Sequence, residues 1–278
     1  MAEVFQPLKI YSRTQGGTLI HWDLNPFFKA AQPYTFKVYV TDFAASQNFE
    51  LAAVVLNNNF AIDTKQRTYS KDWDIQYRVD LVDNNNVVYS SRVASAQGQM
   101  SKQEYLLSRA IIQRETLWMT KFGGTCGFLW KRRQWGPVCT TCGDWDTQEA
   151  TRGSNCSECF GVGITGGYYD PITFYVGQSQ GGAPHHKKVT TENAGVEDNR
   201  ARKARAIICP EMNTNDVWCN AVTDQRYIVG SVGYIDFKMC PIIQDPIELR
   251  LAPATDVVYN LVRPDEVISS SSSSSSSA

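Results

Sequence analysis

Asp72-Trp73-Asp74-Ile75-Gln76-Tyr77-Arg78-Val79-Asp80-Leu81 is the stretch that decides the fold class. Trp73, Ile75, Tyr77, Val79 and Leu81 form an apolar row, and Asp72, Asp74, Gln76, Arg78 and Asp80 a polar one. A strict period of two puts one face in a core and the other in water, which describes a half-buried antiparallel strand. The period recurs upstream. Ile20, Trp22 and Leu24 alternate with Leu19, His21 and Asp23 after Gly16-Gly17, and Tyr34, Phe36, Val38 and Val40 alternate with Thr35, Lys37 and Tyr39. Asn57-Asn58-Asn59 and Asn84-Asn85-Asn86 are turn signals, because asparagine tolerates left-handed backbone and makes Asx turns. Short strands at this spacing predict a β-sandwich over residues 1–98. His21, Asp72, Asp74, Asp80 and Asp83 are expected on its solvent side.

Residues 99–124 change period. Ser101-Lys102-Gln103-Glu104 spells a capping box, Leu107, Ala110, Ile111, Leu117 and Trp118 recur at helical spacing, and Gly123-Gly124 ends the run. One amphipathic connecting helix is predicted, packed on a neighbouring domain. Residues 125–176 are rich in glycine and cysteine, and 177–205 read as an extended polar loop. Strand periodicity returns over 206–263. Arg226-Tyr227-Ile228-Val229 and Val232-Gly233-Tyr234-Ile235-Asp236-Phe237 read as a hairpin, Ile247, Leu249 and Leu251 as a strand, and Val257 to Leu261 as a last strand. The expectation is a small, barrel-like β-domain. Residues 264–278 carry nine consecutive serines, Ser269 to Ser277, which bury nothing and predict a disordered tail. The whole chain is therefore expected to be mainly β.

Cys139-Thr140-Thr141-Cys142 and Cys156-Ser157-Glu158-Cys159 are two C-x₂-C pairs separated by thirteen residues. Each pair can form a tight knuckle, and two knuckles present four thiolates at the spacing a tetrahedral zinc ion prefers. Gly143, Gly161 and Gly163 supply the sharp turns. Four thiolates leave no open coordination position, so the expected Zn²⁺ is structural; iron in a rubredoxin-like site uses the same ligands. Cys126, Cys209, Cys219 and Cys240 lack pair spacing and are expected as buried thiols.

The 278 residues are 42% apolar and 20% charged, with a formal charge of −1. That balance excludes a wholesale electrostatic nucleic-acid binder and an acidic disordered chain. The N-terminus lacks the basic and apolar regions of a signal peptide, and the longest aliphatic stretch, Leu51 to Leu56, is too short to span a bilayer. The expectation is a soluble protein made in the cytoplasm, with no membrane partner. In that setting eight cysteines point to metal ligands and buried thiols more than to disulfides. Three histidines, His21, His185 and His186, with no nucleophile elbow, His-Glu-x-x-His helix or Walker loop, give no catalytic constellation, so no enzyme is expected. Basic residues do cluster: Lys131, Arg132 and Arg133 between Trp130 and Trp135, then Arg200, Arg202, Lys203 and Arg205. Arginine beside tryptophan could contact phosphate and stack on bases, or dock a protein partner. A zinc-ribbon nucleic-acid binder is thus the alternative reading.

Three resemblances bear on function. Trp22 on an early strand, Tyr34 to Val40, and Ile75-Gln76-Tyr77-Arg78-Val79 resemble a fibronectin type III or immunoglobulin-like sandwich without its paired cysteines. Cys156 to Gly163 resembles one repeat of the cysteine-rich zinc domain of DnaJ-type chaperones, although neither the further repeats nor a His-Pro-Asp J-domain is present. Taken together, that sandwich, Cys156 to Gly163 running into Gly166-Gly167-Tyr168-Tyr169-Asp170-Pro171, and Arg226 to Val229 through Pro241-Ile242-Ile243 to Leu249-Arg250-Leu251-Ala252 resemble a neck protein of tailed bacteriophages, the head-closure or head-to-tail connector type. This last resemblance implies a virion structural protein in a homo-oligomeric ring. Its neighbours would be portal or adaptor and tail proteins, with the capsid as a further contact and DNA a secondary one. The zinc-ribbon-like insert is not a general feature of that family.

Overall fold

The computed structural model describes residues 4–14, 17–25, 28, 33–41, 48–56, 58–65, 75–95, 101–142, 156–178, 201–237 and 240–264. The chain is mainly β and divides into two units. One is Met1–Trp118 with Ile207–Pro210 and Asp236–Ile242; the other is Met119–Ala206 with Glu211–Ile235 and Ile243–Ala278.

In the first unit the chain runs through β1 (Lys9–Thr14), β2 (Gly17–His21), β3 (Thr35–Thr41), β4 (Glu50–Val55), β5 (Phe60–Asp63), β6 (Gln76–Val82), β7 (Val88–Ser90), β8 (Ala94–Ser95) and the helix α1 (Lys102–Trp118). One sheet is ordered β1-β2-β5 and the other β4-β3-β6-β7, with β8 paired to β6. Tyr77, Val79 and Leu81 on β6 and Phe36, Val38 and Val40 on β3 are all buried, the apolar rows their period predicts. Asp72, Trp73 and Asp74 lie outside the described residues. Two contacts fasten the sheets together. The Trp22 and Phe36 rings lie 5.1 Å apart, and the Tyr77 hydroxyl donates to Asp63 Oδ2 at 3.0 Å.

The polar side of these strands is less exposed than its period suggests. His21 is buried, and its Nε2 accepts from the Asn59 side-chain amide at 2.9 Å. Leu19 and Ile20 are both buried as well, because β2 is the central strand of its sheet and is covered on both faces. Asp80 is buried against Arg78, whose Nε and Nη2 donate to its two oxygens at 3.0 and 3.2 Å. Asp83 is buried too, its carboxylate accepting from the Asn85 and Val87 amides of the turn it starts.

The helix begins at its predicted cap, where the Ser101 amide donates to Glu104 Oε2 at 2.9 Å. It lies against β1, and Tyr105, Ser108 and Ile112 are its buried face. Leu107, Leu117 and Trp118 are instead exposed, so the expected stripe is turned about the helix axis. Periodicity gives the spacing of a buried row, but two rows on α1 have helical spacing, and the large Tyr105 ring sits on the one that packs.

From the second unit's first residue the chain runs through a π turn, Met119–Gly123, β9 (Gly124–Trp130), β10 (Ile172–Gln178), β11 (Ala201–Ile207), β12 (Val217–Asn220), β13 (Arg226–Phe237), β14 (Cys240–Leu251) and a 3₁₀ turn, Val257–Asn260, with Ile207, the end of β13 from Asp236 and the start of β14 to Ile242 counted in the first unit. β9 to β14 close into a six-stranded barrel in the order β10-β11-β14-β13-β12-β9, which leaves no free sheet edge. The barrel is larger than the 206–263 domain expected from the sequence. It draws β9 and β10 from the cysteine-rich stretch and β11 from the 177–205 segment; residues 179–200 of that segment lie outside the described residues, as does the serine run.

Two further elements differ from expectation. Gly230 and Ser231 do not turn the chain; β13 runs straight through them. Gly233 is there for close approach, since a Cβ would stand 2.9 Å from Pro246 Cδ on the partner strand. Residues 257–260 form a 3₁₀ turn and not a strand, because the Asp256 carboxylate caps the Val258 amide at 3.1 Å.

Gly127 to Trp130 of β9 and Val217 to Cys219 of β12 are buried on both faces. Leu129 pairs with Trp218, and Gly127 lies beneath the Trp218 indole, where a Cβ would fall 2.6 Å from the ring and 2.2 Å from the Cys219 carbonyl oxygen. The indole Nε1 donates to the Phe174 carbonyl at 3.3 Å. On the opposite face, Phe128, Trp130, Val217 and Cys219 form a second core with Val162, Tyr168, Val258 and Leu261. That outer core is what holds the cysteine module on the barrel.

Candidate metal centre

The cysteine module is the far end of one long hairpin. The β9–β10 ladder pairs Leu129 with Ile172, and beyond it the two chains stay antiparallel without forming regular strands. The Tyr169 amide donates to the Lys131 carbonyl at 2.9 Å, Arg133 to Gly167 at 2.9 Å, Thr165 to Pro137 at 2.9 Å and Cys139 to Gly163 at 3.0 Å. The Arg132–Tyr168 and Val138–Ile164 bridges mark the same arm.

Two features fix the arm to the barrel. Val162 and Tyr168 are buried in the outer core. At the base, Lys131 is 1% exposed and its Nζ lies 2.8 Å from Asp216 Oδ2. Asp216 also accepts from the Arg132 amide at 2.8 Å and the Asn213 amide at 2.7 Å, and Lys131 donates further to the Glu211 carbonyl. Both oxygens of this buried carboxylate are thus engaged, the condition under which a buried ion pair is tolerated.

At the tip, Cys139 and Cys142 bracket one turn, and Cys156 and Cys159 the other. The chain leaves the second turn through Phe160, Gly161 and Gly163, all at positive φ of 50°, 74° and 82°. Gly167 brings the returning strand so close that a Cβ there would stand 2.3 Å from the Cys159 carbonyl oxygen. Gly143 lies outside the described residues.

The four sulfurs lie within 4.8 Å of one another. Cys139 and Cys156 Sγ are 3.8 Å apart and Cys142 and Cys159 Sγ 3.3 Å. A tetrahedron with metal–sulfur bonds of about 2.3 Å has sulfur–sulfur edges of about 3.8 Å. The cluster is therefore of the right size and donor type to hold a metal ion. Each knuckle also turns its own amides onto its first sulfur. The Cys159 and Glu158 amides, in that order, hold the Cys156 thiol down at about 7, against burial. At Cys139, burial pushes the thiol up and the Thr141 and Cys142 amides act against it. Amides aimed at sulfur favour thiolates, the form that binds a metal.

Glu158 ties one knuckle to the other. It sits between the two cysteines of the second turn and accepts from the Thr140 hydroxyl at 3.1 Å and from the Thr141 hydroxyl in the first. These bonds hold its carboxyl below the usual range, with the Thr141 hydroxyl the leading cause. Cys139 Sγ lies 3.5 Å from Glu158 Oε2, a contact that needs the thiol proton and would be given up if Cys139 bound a metal. The threonine bonds to the carboxylate do not depend on that proton.

Comparison with protein-family models, curated proteins and solved structures finds no match. No helix among the described residues is long and apolar enough to cross a membrane.

Lys131 and Arg205 are buried, and Lys131 is committed to Asp216. Arg133 Nε donates to the Tyr168 carbonyl at 3.1 Å and its guanidinium lies 4.7 Å from the Tyr169 ring. Arg132 is partly exposed. Arg202 and Lys203 are exposed on β11, with Arg202 over the Tyr227 ring at 5.6 Å, and Arg200 lies outside the described residues, as do His185 and His186. Cys209 and Cys219 are buried as expected, and burial together with Asp224 pushes the Cys219 thiol up to about 11. Cys126 is half-buried, across the ladder from Tyr175, and the Cys240 side chain lies outside the described residues.

Sequence reasoning found the four cysteines and missed the residues that hold them. Glu158 was legible in part, as a carboxylate inside a C-x₂-C turn. Asp216 lies 85 positions from Lys131, and no local pattern links the two.

Proposed function

We propose that this chain is a non-catalytic structural subunit of a tailed-bacteriophage virion, forming or decorating the portal-to-tail neck as a homo-oligomeric ring, with one structural zinc ion in its four-cysteine centre. The observation that carries the structural reading is the four-sulfur cluster at the tip of an arm docked on a closed barrel. A tetrathiolate centre leaves no coordination position for a substrate, so its metal serves the fold. The barrel includes the 226–251 stretches on which the neck resemblance rests. The strand orders β1-β2-β5 and β4-β3-β6-β7 support the fibronectin-like reading of the N-terminal unit. The burial of Lys131 and Arg205 counts against the nucleic-acid alternative.

Two measurements test the proposal. Mass spectrometry of purified particles should find the chain at a fixed copy number, and electron microscopy of the isolated protein should show closed rings. A chain absent from particles and monomeric at all concentrations would end the neck assignment. Elemental analysis should give one zinc per chain, while an iron-loaded chain would keep the structural role and change the metal.

A further inference from the structure

We propose that the four cysteines are also a site of covalent modification: under peroxide they pair across the arm, Cys139 with Cys156 and Cys142 with Cys159, and so replace the metal clamp with two disulfides. The inference rests on the sulfur placement and stands whether or not the metal is zinc and whether or not the chain is a neck protein.

Disulfide sulfurs lie about 2.05 Å apart. The Cys142 and Cys159 sulfurs start at 3.3 Å and those of Cys139 and Cys156 at 3.8 Å, so each pair closes by a small side-chain movement. Both pairs join the first knuckle to the second, 17 positions apart in sequence. The backbone already holds the knuckles in register, through the Cys139 amide on Gly163 and the Glu158 carboxylate on Thr140. Bonds within a knuckle would close a four-residue loop and leave the two sides of the arm unlinked. Cross-knuckle bonds keep the cross-link that the metal supplies.

The chemistry balances pair by pair. One thiolate attacks a peroxide oxygen; the O–O bond breaks, a sulfenic acid forms and hydroxide leaves. The partner thiolate then attacks the sulfenic sulfur, the S–S bond forms, the S–O bond breaks and a second hydroxide leaves. Each pair gives two electrons to one peroxide, and both hydroxides take up protons to become water. With all four thiolates consumed, a bound divalent ion is released. A reducing compartment thus keeps the metal-held form, and an oxidising one, such as the medium outside a cell, favours the disulfide form.

The test uses the full chain, metal-loaded and chelator-stripped, treated with hydrogen peroxide and mapped by non-reducing peptide mass spectrometry. The expected product links the peptide carrying Cys139 and Cys142 to the one carrying Cys156 and Cys159. In Cys139→Ser/Cys156→Ser the remaining Cys142 and Cys159 should still link, and in Cys142→Ser/Cys159→Ser the remaining Cys139 and Cys156 should still link. The oxidised wild type in chelator should melt close to the metal-loaded form and above the reduced, stripped form. Bonds within each knuckle, or sulfinic and sulfonic products without a link, would overturn the inference. A protein that purifies without metal yet forms the cross-knuckle pairs would sink the metal reading and leave this one standing.

Discussion

Lys131 Nζ lies 2.8 Å from Asp216 Oδ2, with both side chains about 1% exposed, at the point where the cysteine arm leaves the barrel. Breaking a buried pair on one side strands the other charge, at a typical cost of about 3–5 kcal/mol. Lys131→Met or Asp216→Leu should each lower the unfolding free energy by that order, and the double variant should recover part of the loss. Urea titration of the three variants checks this; strictly additive losses would refute the coupling.

Removing the proposed metal should loosen the arm. In chelator the chain should lose melting temperature, and Cys142→Ser should lose it with or without chelator. Cobalt added to the stripped chain should show the absorption of a tetrahedral tetrathiolate site. A chain that melts identically with and without chelator under reductant would argue against a structural metal.

Glu158→Ala should weaken metal affinity by about 10-fold or more, the range seen when the outer hydrogen bonds of a metal site are lost. Glu158→Gln, which still accepts from Thr140 and Thr141 and carries no charge beside Cys139, should bind more tightly than Glu158→Ala. Competition against a chromogenic chelator measures both.

The metal-free protein should carry a pH signature from Cys156. Its thiol sits at about 7 in the fold against an ordinary value of 9.0. A depressed pKa contributes stability that is complete above about pH 9 and lost as pH falls through about 7. Melting curves in chelator and reductant should therefore separate wild type from Cys156→Ser more at pH 9 than at pH 6.5. An unchanged difference would show that the amides of Glu158 and Cys159 do not favour the thiolate.

Gly127→Ala should destabilise the barrel by about 3 kcal/mol or more, since the added carbon meets both the Trp218 ring and the Cys219 carbonyl. Gly166→Ala is the contrast: its nearest neighbour is the flexible Arg133 side chain at 3.6 Å, so only its φ of +77° opposes the change. It should cost about 1–2 kcal/mol. Thermal melts of the two variants rank them.

By itself the sequence determined the local structure and the ligand chemistry. The period of two over Tyr77, Val79 and Leu81 names a strand because side chains alternate across a pleat, and Ser101-x-x-Glu104 names a helix start because two orphan amides need acceptors. Two C-x₂-C pairs name a tetrathiolate site because the knuckle is built from four consecutive residues. Tertiary structure alone decided which face of α1 is buried, that β2 is covered on both sides so that His21 goes inside, and that β9 and β10 belong to the barrel whose outer wall carries the arm. It also paired Lys131 with Asp216 and turned Glu158 onto the opposite knuckle. These outcomes join residues far apart in the chain, or choose between two faces of equal local merit, and local sequence holds no record of either.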